Sequence, residues 1–152
     1  MHQIAIFIAT LGPIGTKLPA PGSWGSLAAL LAGAVILPYG WLYMAVATFA
    51  ALLIGLWASD IYHKKTGKKD ASEVIIDEVA GQWSVLLVTP FSLEGFAIAF
   101  ILFRFFDILK PFPVNKAEKI EGAIGVMADD IVAGALAAMV MLALLAGGIL
   151  SL

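Results

Sequence analysis

The stretch ADDIVAGALAAMVMLALLAGGILSL, residues 128–152, opens on two adjacent carboxylates and carries no charge after them. The run behind Asp130 is long and apolar enough to leave water and cross a bilayer. Paired like charges repel, and an Asp at the edge of lipid is costly. Something must therefore compensate Asp129 and Asp130.

Composition agrees with a membrane setting. The chain has 152 residues, is 61% hydrophobic and only 13% charged, with a mean hydropathy of +0.98. Soluble domains carry roughly 25% charged residues, so the expectation is an all-α, polytopic membrane bundle forming a single domain over 1–152. A net charge of −2 implies no nucleic-acid partner. The absence of cysteine removes disulfides, thiolate metal sites and a cysteine nucleophile. No cleavable signal is expected, because MHQIAIFIAT lacks a basic flank.

Upstream, IAIFIATLGPIG is too short to span and is broken by Gly12, Pro13 and Gly15, so it reads as a half-inserted segment. TKLPAPGSWGS is an irregular loop, with Ser23 as N-cap of a first spanning helix from near Trp24 to Leu37. Pro38-Tyr39-Gly40 turns the chain into a second helix running from Trp41 to about Tyr62. HKKTGKKDASE interrupts it, and a third helix begins within SEVIIDEVAGQW and runs to Pro90. LEGFAIAFILFRFFDILK returns as a fourth, ended by Pro111 and Pro113. VNKAEKIEGAIGVMA reads as a polar connection, and a fifth helix runs from about Asp129 to Gly147.

Five crossings place every Lys and Arg on one face and only Glu94 on the other. A four-span reading scatters lysines to both sides. The positive-inside rule then makes the charged face cytoplasmic. Trp41, Tyr39 and Tyr43 at one level, with Trp57, Tyr62 and Trp24 near the other, suit aromatic belts.

In this topology Asp129 and Asp130 open helix five, and Asp77 and Glu78 lie early in helix three, with Glu73 a turn earlier. Arg104, Asp107 and Lys110 fall at i, i+3 and i+6 at the end of helix four. Any one acid could simply complement a helix dipole. The doubled acids are poorly explained that way, since carboxylates held together repel unless a cation neutralises them. Oxygen ligands with no Cys and almost no His favour a hard divalent ion, Mg²⁺ above all. KKTGKK is most simply a solvated membrane-surface anchor, whereas Lys17, Arg104 and Lys110 stand beside the acids. A metal flanked by Arg and Lys is the arrangement that phosphoryl chemistry needs. GPIGTK lacks the spacing of a P-loop, so no nucleotide site is indicated.

Four motifs in order, LPAPGSWGS (18–26), IIDEVAGQW (75–83), FRFFDILKPFP (103–113) and GAIGVMADDIVAG (122–134), resemble the phosphatidylglycerophosphatase A family along nearly the whole chain. Ser23 stands where Thr is commoner, and Ala123 where a second Gly is frequent; neither change removes a charge. The resemblance implies a phosphatase of the bacterial cytoplasmic membrane, Mg²⁺-dependent and active at the cytoplasmic face. It would convert phosphatidylglycerophosphate to phosphatidylglycerol, with the lipid as its partner. Residue by residue, it implies that Asp77, Glu78, Asp129 and Asp130 are catalytic and hold the metal, with Asp107 as a further ligand. Lys17, Arg104 and Lys110 would bind phosphate. Rival readings are a divalent-cation carrier, which calls for acids near mid-membrane, and a structural membrane subunit, which has little use for doubled acids. A CDP-alcohol phosphotransferase is set aside, because D-x-x-D-G-x-x-A-R is absent.

Overall fold

The computed structural model describes residues 2–68 and 71–150, and among these the regular structure is helical, without strands. Lys69, at the end of KKTGKK, lies outside the described residues. The helices are α1 (His2–Thr10), α2 (Pro13–Lys17), α3 (Pro21–Ile36), α4 (Trp41–Thr66), α5 (Ile76–Leu86), α6 (Leu93–Leu109), α7 (Val114–Ala117) and α8 (Gly122–Ala146), with a 3-10 turn, Leu37–Tyr39, joining α3 to α4.

Local chemistry explains most of the boundaries. Pro21, at the first helical position, starts α3 earlier than expected, so Ser23 lies inside the first turn and is not the cap. Gly67, at φ 69°, ends α4 by donating its N–H to the His63 carbonyl at 2.9 Å, a turn beyond the expected end at Tyr62. The Ser92 hydroxyl accepts from Gly95 N–H and caps α6. The larger correction is at α8. Residues 114–128 were expected to be a connection, yet α7 and the first two turns of α8 form there. No proline lies between Gly122 and Asp129, and the one interior glycine, Gly125, is needed where a Cβ would lie 1.7 Å from the Ile120 carbonyl oxygen. Asp129 and Asp130 are therefore not at a helix start. They lie about 10–12 Å along α8 from Gly122.

The bundle is built around α5. Seven of its eleven residues are buried, and α8, α3, α4 and α6 all pack on it. A Cβ on Gly134 of α8 would lie 2.4 Å from the Gly81 carbonyl oxygen, and one on Gly81 would lie 2.7 Å from the Asp130 carbonyl oxygen. These two glycines let the α5 and α8 backbones touch, a close approach typical of helices packed in lipid. Asp77 precedes Gly81 by one turn, and Asp130 precedes Gly134 by one turn, so the same contact brings the acids together.

Small residues fill the inside (Ala58, Ala80, Ala99, Ala133, Ala137), while Leu31, Val35, Phe49, Ile101 and Leu142 face outward. A bundle that turns so many bulky apolar groups outward is suited to lipid rather than water. Pro21–Tyr39, Trp41–Thr66 and Gly122–Ala146 are long and apolar enough to cross a membrane. At 11 residues, α5 extends only ~16 Å, about half of the ~30 Å hydrocarbon core. Tyr62 was expected in an aromatic belt; it is buried in the core instead.

Candidate functional site

Asp77, Glu78 and Asp130 each offer a carboxylate oxygen within 4.8 Å of the other two. Asp77 is held by accepting the Glu78 N–H at 3.0 Å, and Asp129 by accepting the Asp130 N–H at 3.1 Å. Glu78 Oε2 and Asp130 Oδ2 are buried and have no hydrogen-bond partner among the described residues. Buried acceptors without donors are costly. The charges of Asp107 and Asp129 also face this group: Asp107 acts on Glu78, Asp129 and Asp130, and Asp129 acts on Asp130.

Two cations enter from the end of α6. Arg104 pairs with Asp107, donates to the buried Ser26 hydroxyl at 3.3 Å, and lies 3.9 Å from Glu78. Lys110, in the left-handed conformation at φ 44°, turns back to donate to Asp129 at 2.7 Å and Glu118 at 2.8 Å. Burial pulls the Lys110 ammonium down, but its bonds to Asp129 and Glu118 outweigh this and raise its pKa above that of an ordinary lysine. It stays charged throughout the neutral range.

An open cleft of about 380 Å³ gathers seven of the eight predicted site residues, namely Asp77, Glu78, Arg104, Asp107, Lys110, Asp129 and Asp130. Lys17 does not line it. That residue is exposed at the end of α2. Glu73 is drawn away by a salt bridge to Lys68, whose hydrogen bond holds the Glu73 carboxyl below the usual range. Lys68, just beyond α4, thus keeps Glu73 for itself.

Three contributors escaped the sequence reading. A Cβ on Gly22 would meet Glu78 Oε1 at 2.2 Å, so glycine lets the start of α3 close over that acid without displacing its carboxylate. Ser26 accepts from Arg104 and donates to the Gly22 carbonyl at 2.9 Å, tying the guanidinium to the same turn. Glu118 shares Lys110. Gly22 and Ser26 both lie within LPAPGSWGS, but neither carries a charge that would single it out.

The residues fit a hard cation. Five carboxyl groups (Asp77, Glu78, Asp107, Asp129, Asp130) face two cations (Arg104, Lys110), a formal excess of three acids over bases. Two of those carboxylates present buried oxygens with no donor among the described residues. All the available ligands are oxygens, as a magnesium-like ion prefers.

The profile of the family described as phosphatidylglycerophosphatase A matches residues 7–145. A phosphatidylglycerophosphatase A of Haemophilus influenzae is 38% identical over 147 residues, 95% of this chain and 88% of that protein. One from Escherichia coli is 30% identical over 143 residues, 92% of this chain and 80% of that protein. A Bacteroides thetaiotaomicron protein provisionally named phosphatidylinositol-3-phosphatase is 38% identical over 123 residues, 76% of this chain and 77% of that protein. No solved structure matches.

Proposed function

Because the chain belongs to the phosphatidylglycerophosphatase A family, we propose that it hydrolyses the terminal phosphomonoester of phosphatidylglycerophosphate, giving phosphatidylglycerol and inorganic phosphate. The observation that carries this reading is the cleft, where three carboxylates within 4.8 Å adjoin an oriented Arg and a charged Lys. We assign Asp77, Glu78 and Asp130 to hold Mg²⁺, with Asp107 and Asp129 as the surrounding anions. When bound, such an ion polarises a phosphate oxygen and makes water a better nucleophile at neutral pH.

The remaining work falls to the chain. Arg104, oriented by Asp107 and Ser26, presents a planar fork to phosphate oxygens. Lys110 adds a fixed positive charge for the phosphoryl group in flight. Asp129 has both oxygens engaged, by Lys110 and by the Asp130 N–H, which leaves Asp107 to take the proton from the attacking water. The new P–O bond forms to water as the ester P–O bond breaks, and the departing glycerol oxygen takes its proton from solvent in the open cleft.

Within one membrane domain we assign five crossings: α3, α4, α5 with the turn after it, α6 and α8. Supporting this, the starts of α3 and α5, the second and third turns of α8 and the end of α6 adjoin the cleft, and His63 at the end of α4 shares a small cavity with Asp77 and Gly122. The positive-inside rule makes that end cytoplasmic, in the inner membrane. A cysteine at Lys68 should be labelled from the cytoplasm and one at Glu94 from outside; both on one side would end the five-span assignment.

Substrate choice follows from position. The internal diester lacks the monoester's extra charge and reach, and a soluble ester lacks chains to hold it at the membrane. Purified protein should release phosphate from phosphatidylglycerophosphate, leave phosphatidylglycerol intact and act poorly on glycerol 3-phosphate. Efficient hydrolysis of the soluble ester would refute membrane-positioned recognition.

A further inference from the structure

The structure leaves a gap between α3 and α4 that the cleft does not use. These helices meet chiefly through the 3-10 turn and touch little along their lengths. The reason is that α3 leans on α5 instead. A Cβ on Gly33 would lie 2.3 Å from Leu86 Cδ1, and the Trp83 indole N–H donates to the Ala29 carbonyl at 2.7 Å. What remains is an apolar groove of about 550 Å³, walled by Ala32 of α3 and by Ala47 and Ala50 of α4, floored by Val79 and Trp83, and reached by Ile14 of α2.

Both walls belong to helices long and apolar enough to cross a membrane, so the groove opens onto hydrocarbon. Alanines keep it wide where leucines would fill it. The Trp83 hydrogen bond fixes its floor, so the space is built rather than collapsible. Its floor helix is the one that carries Asp77 and Glu78. Lys17 stands three residues beyond Ile14, which lines the groove, and three before Ala20, which lines the cleft. An apolar slot, an exposed cation and a cation-seeking cleft are thus reached in that order along the chain from Ile14 to Ala20. That is the order of parts in a phosphatidyl monoester: acyl chain, internal phosphodiester, terminal phosphate.

We propose that the α3–α4 groove receives an acyl chain of the lipid substrate and that Lys17 meets the internal phosphodiester, leaving the terminal phosphate to the cleft. This rests on the phosphatase reading. It also gives Lys17 a role although it does not line the cleft.

Ala47→Phe places a ring in the groove. With dipalmitoyl and dioctanoyl phosphatidylglycerophosphate in one detergent system, the ratio of kcat/KM for the long chain over the short should fall on the order of 10-fold or more. Met139→Phe, on an exposed outer position of α8, should leave the ratio unchanged. Lys17→Ala should raise KM with kcat held, because it grips a part of the lipid that does not react. An unchanged chain-length ratio in Ala47→Phe, or equal losses on both substrates, would overturn the groove assignment. So would a weakened self-association of Ala47→Phe without a change in ratio, since the groove would then seat a second copy. A fall in kcat at constant KM for Lys17→Ala would overturn its role. Should Ala47→Phe misfold, a phosphatidylglycerophosphate bearing a diazirine in its acyl chain, cross-linked to the unsubstituted protein, decides the matter. Adducts on α3 and α4 around Ala32 and Ala47 are expected, and adducts confined to α6 and α8 would refute the assignment. If the unsubstituted protein hydrolyses neither chain length, the phosphatase reading fails, whereas the cross-link still reports on the groove.

Discussion

Asp130→Asn should abolish turnover, lowering kcat by on the order of 10³-fold or more, while the protein stays folded and inserted. Asp130 is only 4% exposed, and its Oδ2 has no partner among the described residues. Glu78, Asp107 and Asp129 all press negative charge on it. An asparagine has the same shape, so the contact between Gly81 and Gly134 beneath it is undisturbed. The substitution removes one of several mutually repelling charges and offers an N–H₂ to the carboxylates around it, so thermal stability in detergent should hold or rise. A residue kept for stability would behave in the opposite way. Turnover of phosphatidylglycerophosphate measured beside thermal unfolding separates the two roles, and near-normal turnover at limiting Mg²⁺ would show that Asp130 is not a ligand.

The helical class and the cast of the cleft were legible because charge is rare in this chain. With only 13% charged residues, each acid or base near an apolar run stands out, and seven of those singled out meet in one cleft. Depth was harder to read. Nothing in GVMADD marks where polar loop gives way to helix, because Ile124, Val126 and Met127 suit either, and the structure carries α8 two turns further back than the charges suggest. Lys17 groups with Arg104 in the sequence as a cation in a motif beside the acids, yet α2 ends short of the cleft.

Neutral contributors were invisible for the opposite reason. Gly22 matters through the absence of a Cβ over Glu78, and Ser26 through a hydroxyl that joins two helices 78 positions apart in sequence. The pairing of Gly81 with Gly134, which sets the α5–α8 distance, has no local signature in a chain with 15 glycines. Such contacts exist only once the helices are packed.

Removing divalent ions should silence the protein as completely as Asp130→Asn does. Five carboxylates against Arg104 and Lys110 give the cleft a formal excess of three acids over bases, and a phosphomonoester arrives carrying further negative charge. Arg104 is already committed to Asp107, and Lys110 to Asp129 and Glu118, so neither cation is in surplus. Without an added cation the substrate is repelled from the groups meant to bind it. Phosphate release from phosphatidylglycerophosphate by chelator-treated protein, followed through stepwise return of Mg²⁺, tests this most directly. Background turnover in chelator with saturable recovery as Mg²⁺ returns is the predicted result; undiminished turnover in protein that elemental analysis shows to be free of divalent ions would contradict it.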